Sequence, residues 1–209
     1  YYIQRMIEGK WGIADGENIT YKEFKYNEHV FSFEAIKETG INIADPNEWT
    51  HFRAIDVGNS SESPLAVIFA AANKRRDRVI IYDELYEFEH SPTSICKLIV
   101  NESYGDVKYR KTYYDSAARW LKNELSDNYG IECTLSNKSV EKGILAVQKW
   151  LLKRHFDGLP SIIVLDHCQN CIREFQVYQR DEKKNDHLMD ALRYFIYTEL
   201  ENNSTYRAL

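Results

Sequence analysis

Residues 51–88 read HFRAIDVGNSSESPLAVIFAAANKRRDRVIIYDELYEF, and three apolar runs within them decide the fold. The first, HFRAIDVGN, closes at Gly58. LAVIFAAAN and DRVIIYDELYEF follow, joined by a basic turn around Arg75 and Arg76. Short runs rich in Val, Ile, Phe and Tyr and bounded by turn residues are strand patterns, and three in quick succession predict an antiparallel meander.

Downstream the period changes. Ser91–Pro92 marks a helix start for TSICKLIVNESY. KYRKTYYD is a strand ending at Asp115, SAARWLKNEL a helix, and IECTLS a fifth strand. A long amphipathic helix is expected from about Ser139 to His155, then a further strand in SIIVLD and a helix through CIREF. The last helix starts near Asp186 and runs through HLMDALRYFIYTEL. A meander followed by alternating helices and strands predicts an α/β domain: a mixed sheet of five strands or slightly more, with helices on both faces. The ribonuclease H-like fold has this order.

Upstream, residues 1–50 read differently. Gly9, Gly12 and Gly16 punctuate aromatic stretches, which suggests an irregular or hairpin segment, and Pro46 breaks the chain before the patterned region. The expected division is a linker over 1–50, the main domain over 51–200 and a tail over 201–209. A chain that begins at Tyr1, without an initiator methionine, is expected to be a fragment.

The 209 residues are 44% hydrophobic and 28% charged, ordinary values for a globular protein, and no apolar run approaches bilayer length. A net charge of -5 argues against coating DNA by bulk electrostatics. It leaves room for local contacts, for which Lys74, Arg75, Arg76 and Arg78, then Lys108, Arg110 and Lys111, then Lys183 and Lys184 are the candidates. A solvated turn is the plainer reading of any one cluster. Of four cysteines, Cys168 and Cys171 form a lone CxxC without a second pair at zinc spacing, so two small buried thiols on one helix face are expected.

Three aspartates stand out. Asp56 lies inside an apolar run, where an unpaired buried carboxylate costs several kcal/mol. Asp115 ends a strand, and Asp190 lies on the last helix. If the strands carrying Asp56 and Asp115 are parallel, their carboxyl ends adjoin and the last helix can complete a cluster. Clustered carboxylates repel and need a cation, and hard oxygen donors suit Mg²⁺ or Mn²⁺. Taken singly, Asp115 reads as an N-cap and Asp190 as a solvated helix charge. On a helical wheel Asp186, His187, Asp190 and Tyr194 share a polar face opposite Leu188, Ala191, Leu192 and Phe195. Asn185 and Asp186, at the helix start, read as capping residues.

AIDVG, YYDSAARW and NDHLMDALRYF resemble the three acidic motifs of the nuclease domains of tailed-bacteriophage terminase large subunits, the DHxxDAxRY pattern being the most specific. NKSVEKGILAVQKWL, with Gly143, is similar to the segment before the final motif, and EGKWGIADGENITYKEF resembles the linker after the ATPase domain. The resemblance spans roughly residues 50–198. It implies a divalent-metal-dependent endonuclease that cuts double-stranded viral DNA during packaging, with little sequence preference. Asp56, Asp115 and Asp190 become ligands of two Mg²⁺ or Mn²⁺ ions, and His187 binds or orients a metal. Lys74, Arg75 and Arg76 are expected to touch phosphates, and the carboxylates to lack fixed cations close by. Implied partners are a missing ATPase domain of the same polypeptide, the small terminase subunit and the portal, in the host cytoplasm with no membrane. No GxxxxGK[ST] occurs, so no ATP hydrolysis is expected. The residues alone leave two alternatives open: a junction-resolvase type of ribonuclease H-like nuclease, and a non-catalytic DNA clamp or docking module.

Overall fold

A computed structural model describes residues 18–58, 63–88, 91–101, 107–181 and 186–201. The glycine-punctuated stretch through Gly16, the Lys183–Lys184 pair, Asn185 and nearly all of the 201–209 tail lie outside them.

The meander forms as the runs predict. β2 (Trp49–Val57), β3 (Leu65–Asn73) and β4 (Val79–Glu87) pair antiparallel, with Asp56 opposite Ala66 and Trp49 opposite Asn73. β3 is apolar at every position but the last and buried along both faces, which makes it a central strand. β5 (Tyr109–Tyr114) pairs parallel with β2, and β6 (Cys133–Leu135) parallel with β5. On the other flank β7 (Ile162–Leu165) pairs parallel with β4, and β1 (Val30–Phe31) parallel with β7. The order is β1-β7-β4-β3-β2-β5-β6, so β3 alone among the described strands runs against the rest. The carboxyl ends of the other six therefore share one edge, where α/β sheets carry their sites.

The sheet has seven strands where five or slightly more were expected. β1 escapes pattern reading because two residues show no period. It belongs to the stretch expected as linker, whose described part also sends Tyr21 and Phe24 into the core; the Phe24 ring stacks on Phe175 at 4.3 Å.

The helices are α1 (Tyr26–His29), α2 (Phe33–Glu38), α3 (Pro92–Asn101), α4 (Arg119–Tyr129), α5 (Val140–Leu152), α6 (Gln169–Val177) and α7 (His187–Phe195). α4 stops at Gly130, whose φ of 63° and N–H bonds to Leu125 and Ser126 carbonyls make a left-handed cap. α5 ends three residues before the expected His155, because a turn at Gly158, φ +81°, lets Arg154 and Pro160 bridge. α7 buries Leu188, Ala191, Leu192 and Phe195 as the wheel predicts and packs across β2, β3 and β5. Phe195 meets Phe52 at 5.1 Å. Past it the chain continues as one π-helical stretch, Ile196–Glu201. Cys168 and Cys171 are fully buried free thiols, as the lone CxxC suggests.

Candidate functional site

In the parallel pairing of β2 with β5, Ile55 stands opposite Tyr114, and the next residue on each strand is Asp56 and Asp115. Two carboxylates from motifs far apart in the chain are thus delivered side by side at one edge. α7 brings the third. The Tyr194 hydroxyl lies 3.4 Å from Asp115 Oδ2 and 3.5 Å from Asp190 Oδ2, between the two acids.

Each acid has its own electrostatic setting. Burial pushes the Asp56 carboxyl above its usual range, Asp190 and Asp186 push the same way, and a hydrogen bond with His187 Nδ1 at 2.9 Å opposes them. Burial acts on Asp115 too, but the Lys138 ammonium and the Ala117 N–H hold it below the ordinary value. One Asp115 carboxylate therefore serves both readings: Oδ1 caps the turn Ser116–Ala118 through Ala117 N–H at 2.9 Å and pairs with Lys138, while Oδ2 faces Tyr194. Asp190 Oδ1 accepts from Arg193 Nη2 at 2.6 Å. Burial alone would depress His187, yet its bond to Asp56, with the charges of Asp56, Asp186 and Glu174, raises it. The imidazolium is favoured there.

Two expectations are corrected. Asp186 holds the N-cap position of α7, but its side chain makes no capping bond. The first-turn N–H groups of Leu188 and Met189 go instead to Glu174 Oε2, at 2.8 and 3.2 Å, from α6. Asp186 joins the acidic cluster, its carboxylate 4.0 Å from His187 Nε2 and raised by burial and by Asp190. The acids also do not lack fixed cations, since Lys138 and Arg193 pair with two of them. Lys138, Arg193 and Glu174 escaped the sequence reading. Arg193 was within reach, standing at i+3 from Asp190 in the quoted motif.

The basic turn stands apart from the acids. Asp56 pairs with Ala66 and the turn follows Asn73, so about 23 Å of strand separates them. Lys74 and Arg75 line a cleft there with Asp45, Glu48, Asp77 and Asp157. Arg76, at a φ of 56°, points inward, 3.4 Å from Glu199 and 4.8 Å over the Phe52 ring. The turn thus lies at the opposite end of the strands from the acids.

Among the described residues no group of three or more His, Cys, Asp or Glu is drawn closely enough to hold a metal ion. The donor set nevertheless suits one. Asp56, Asp115, Asp186 and Asp190 are hard oxygen donors, and the two raised carboxyls mark an excess of buried negative charge that a divalent cation offsets.

No protein-family model matches the chain. It is 24% identical over 211 aligned residues to the terminase large subunit of Escherichia phage T5, covering 94% of this chain and 45% of that protein. The chain thus spans about half the length of the curated relative it matches. Among solved structures, the large terminase of a thermophilic bacteriophage superposes with a TM-score of 0.69 at 22% identity, over 95% of this chain and 52% of the other. The P22 large terminase nuclease domain gives 0.65 at 18%, over 86% and 90%. The nuclease domain of the bacteriophage SPP1 large terminase, with bound Mn, gives 0.55 at 20%, over 82% and 95%. Similarity along nearly the whole chain and likeness of fold agree: the chain is similar in sequence to a terminase large subunit and has the ribonuclease H-like fold of terminase nuclease domains.

Proposed function

We propose that this domain is a divalent-metal-dependent endonuclease that cuts double-stranded viral DNA concatemers during genome packaging, with little sequence preference. The observation that carries the reading is the meeting of three distant acidic motifs at one sheet edge, Asp56 and Asp115 through parallel pairing and Asp190 through α7. Likeness to the SPP1 domain with bound Mn supports the choice of cation.

Asp56, Asp115 and Asp190 would hold two Mg²⁺ or Mn²⁺ ions. When bound, the ions supply the Lewis acidity that phosphodiester hydrolysis needs. The protein's own groups do the rest. Asp56 orients His187 through Nδ1, leaving Nε2 beside Asp186. Arg193 and Lys138 hold Asp190 and Asp115 in fixed rotamers. Tyr194 keeps the two acids together. The chain's length relative to its T5 relative supports an ATPase domain elsewhere in the polypeptide, with the small terminase subunit and portal as partners in the infected cell's cytoplasm. No helix among the described residues is long and apolar enough to cross a membrane.

The test is supercoiled plasmid incubated with millimolar Mn²⁺ or Mg²⁺, which should be nicked and linearised, and with EDTA, which should abolish cutting. Full activity in EDTA removes the metal-dependent mechanism. No cutting with either ion leaves the clamp reading.

A further inference from the structure

We propose that Gly143 is a positioning residue for the acidic site: its missing side chain is the slot through which Arg193 reaches Asp190. Gly143 lies inside α5, where alanine is the better helix former. A Cβ at this position would lie 2.2 Å from Arg193 Cγ and 2.5 Å from Cδ, far inside contact distance. The obstructing atoms belong to a stem that cannot swing away, since Arg193 is 3% exposed and both ends of its guanidinium are engaged. Nη2 donates to Asp190 Oδ1 at 2.6 Å, and Nη1 to the Lys138 carbonyl at 3.4 Å. The Lys138 ammonium in turn pairs with Asp115. One arginine, its stem laid against a glycine, therefore orients one acid and braces the turn whose lysine holds another.

The role in cleavage rests on the nuclease reading; the packing does not. Four variants separate the two: Gly143→Ala, Arg193→Lys, Arg193→Ala, and Gly143→Ala combined with Arg193→Ala. Far-UV circular dichroism checks that each folds. In ¹H–¹⁵N spectra without metal, the Arg193 side-chain N–H signal, identified by its loss in Arg193→Lys, should be shifted from solvent-exposed arginines. In Gly143→Ala it should move to the exposed position. Mn²⁺ alone, titrated by electron paramagnetic resonance, should bind Gly143→Ala ~10-fold or more weakly, the usual size of a lost supporting contact. Cleavage should fall in step. The double variant should be no worse than Arg193→Ala, because removing the stem removes the clash. An unmoved Arg193 signal in Gly143→Ala overturns the slot. A moved signal with unchanged Mn²⁺ affinity overturns the positioning role. If the unaltered protein neither binds Mn²⁺ nor cuts, the nuclease reading falls, the positioning role falls with it, and the arginine signal decides the slot by itself.

Discussion

At the carboxyl edge of β2 and β5, Asp56, Asp115, Asp186 and Asp190 face Lys138, Arg193 and His187. At the opposite edge Glu199 faces Arg76 at 3.4 Å, Lys111 at 3.0 Å and the Tyr113 hydroxyl, while Arg78 pairs with Asp157 at 2.7 Å. The second edge is matched in charge. The first edge is not: Asp56 and Asp186 are raised by burial and by acidic neighbours. Folding alone gives no reason to gather four acids around too few cations. Local rules break in this way where a site has been built at the cost of stability. One edge is closed by the protein's own charges and the other is left with acids in excess.

The largest expected effect tests that contrast directly. Asp56→Asn keeps the shape and an oxygen to accept from His187, but removes a charge from the excess. Plasmid cleavage should fall by orders of magnitude, while thermal stability in EDTA stays level or rises. Added Mn²⁺ should raise the melting temperature of the unaltered protein by binding the folded state, and leave Asp56→Asn unmoved. Normal cutting by this variant would make Asp56 a structural residue.

Glu199→Ala should do the reverse. It removes the carboxylate that Arg76 faces beside the core, and breaking a buried ion pair from one side costs about 3 kcal/mol. Chemical denaturation should show the loss, and residual activity below the new transition should stay near normal. A variant as stable as its parent would mean that the far edge is no better matched than the near one.

The third effect is a pH slope. Burial pushes the Glu174 carboxyl up to about 7, from an ordinary 4.5. A raised acid favours the folded state while protonated, so its contribution is fully present below about pH 4.5 and is lost as pH rises through about 7. Asp56 and Asp186 carry the same sign. Asp157, held low by Arg78 despite some desolvation, carries the opposite one, its contribution lost as pH falls. Glu174→Gln keeps an acceptor for the Leu188 and Met189 N–H groups without the charge. Its stability should vary less than the parent's between pH 5 and 8 in EDTA. An unchanged slope would assign the dependence to the aspartates.

Patterns within a segment and the pairing of neighbouring runs were legible in the sequence; contacts between distant side chains were not. The meander showed because Leu65–Asn73 is apolar almost throughout, and the buried face of α7 showed because its period is regular. Asp56 drew notice as a charge inside an apolar run. Asp115 and Asp190, each with an ordinary local explanation, gained weight from their order in the fold and from the resemblance. The α7 cap was misread because Asp186 stands at the right place, whereas the acceptor, Glu174, arrives from α6. Lys138 beside Asp115 and Arg76 beside Glu199 depend on the sheet order, which no local window contains. The distance of the basic turn from the acids was equally hidden.

That turn supplies the smallest expected effect. Lys74 and Arg75 stand near the far edge, about 23 Å of strand from Asp56, among Asp45, Glu48 and Asp77. At physiological ionic strength the screening length is about 8 Å, so charges at that distance barely alter the potential at the acidic edge. Their acidic neighbours also reduce what reaches the solvent. Lys74→Glu combined with Arg75→Glu should therefore change duplex affinity by less than about twofold at 0.15 M salt, measured by fluorescence anisotropy in EDTA. Cleavage with Mn²⁺ should be equally indifferent. Lowering the salt to 0.01 M extends the screening length to about 30 Å and should bring out a modest weakening through the long-range field. A tenfold loss already at 0.15 M would instead show that the duplex runs the length of the sheet. The far edge would then be a binding surface as well as a matched one, and the contrast between the two ends would no longer hold.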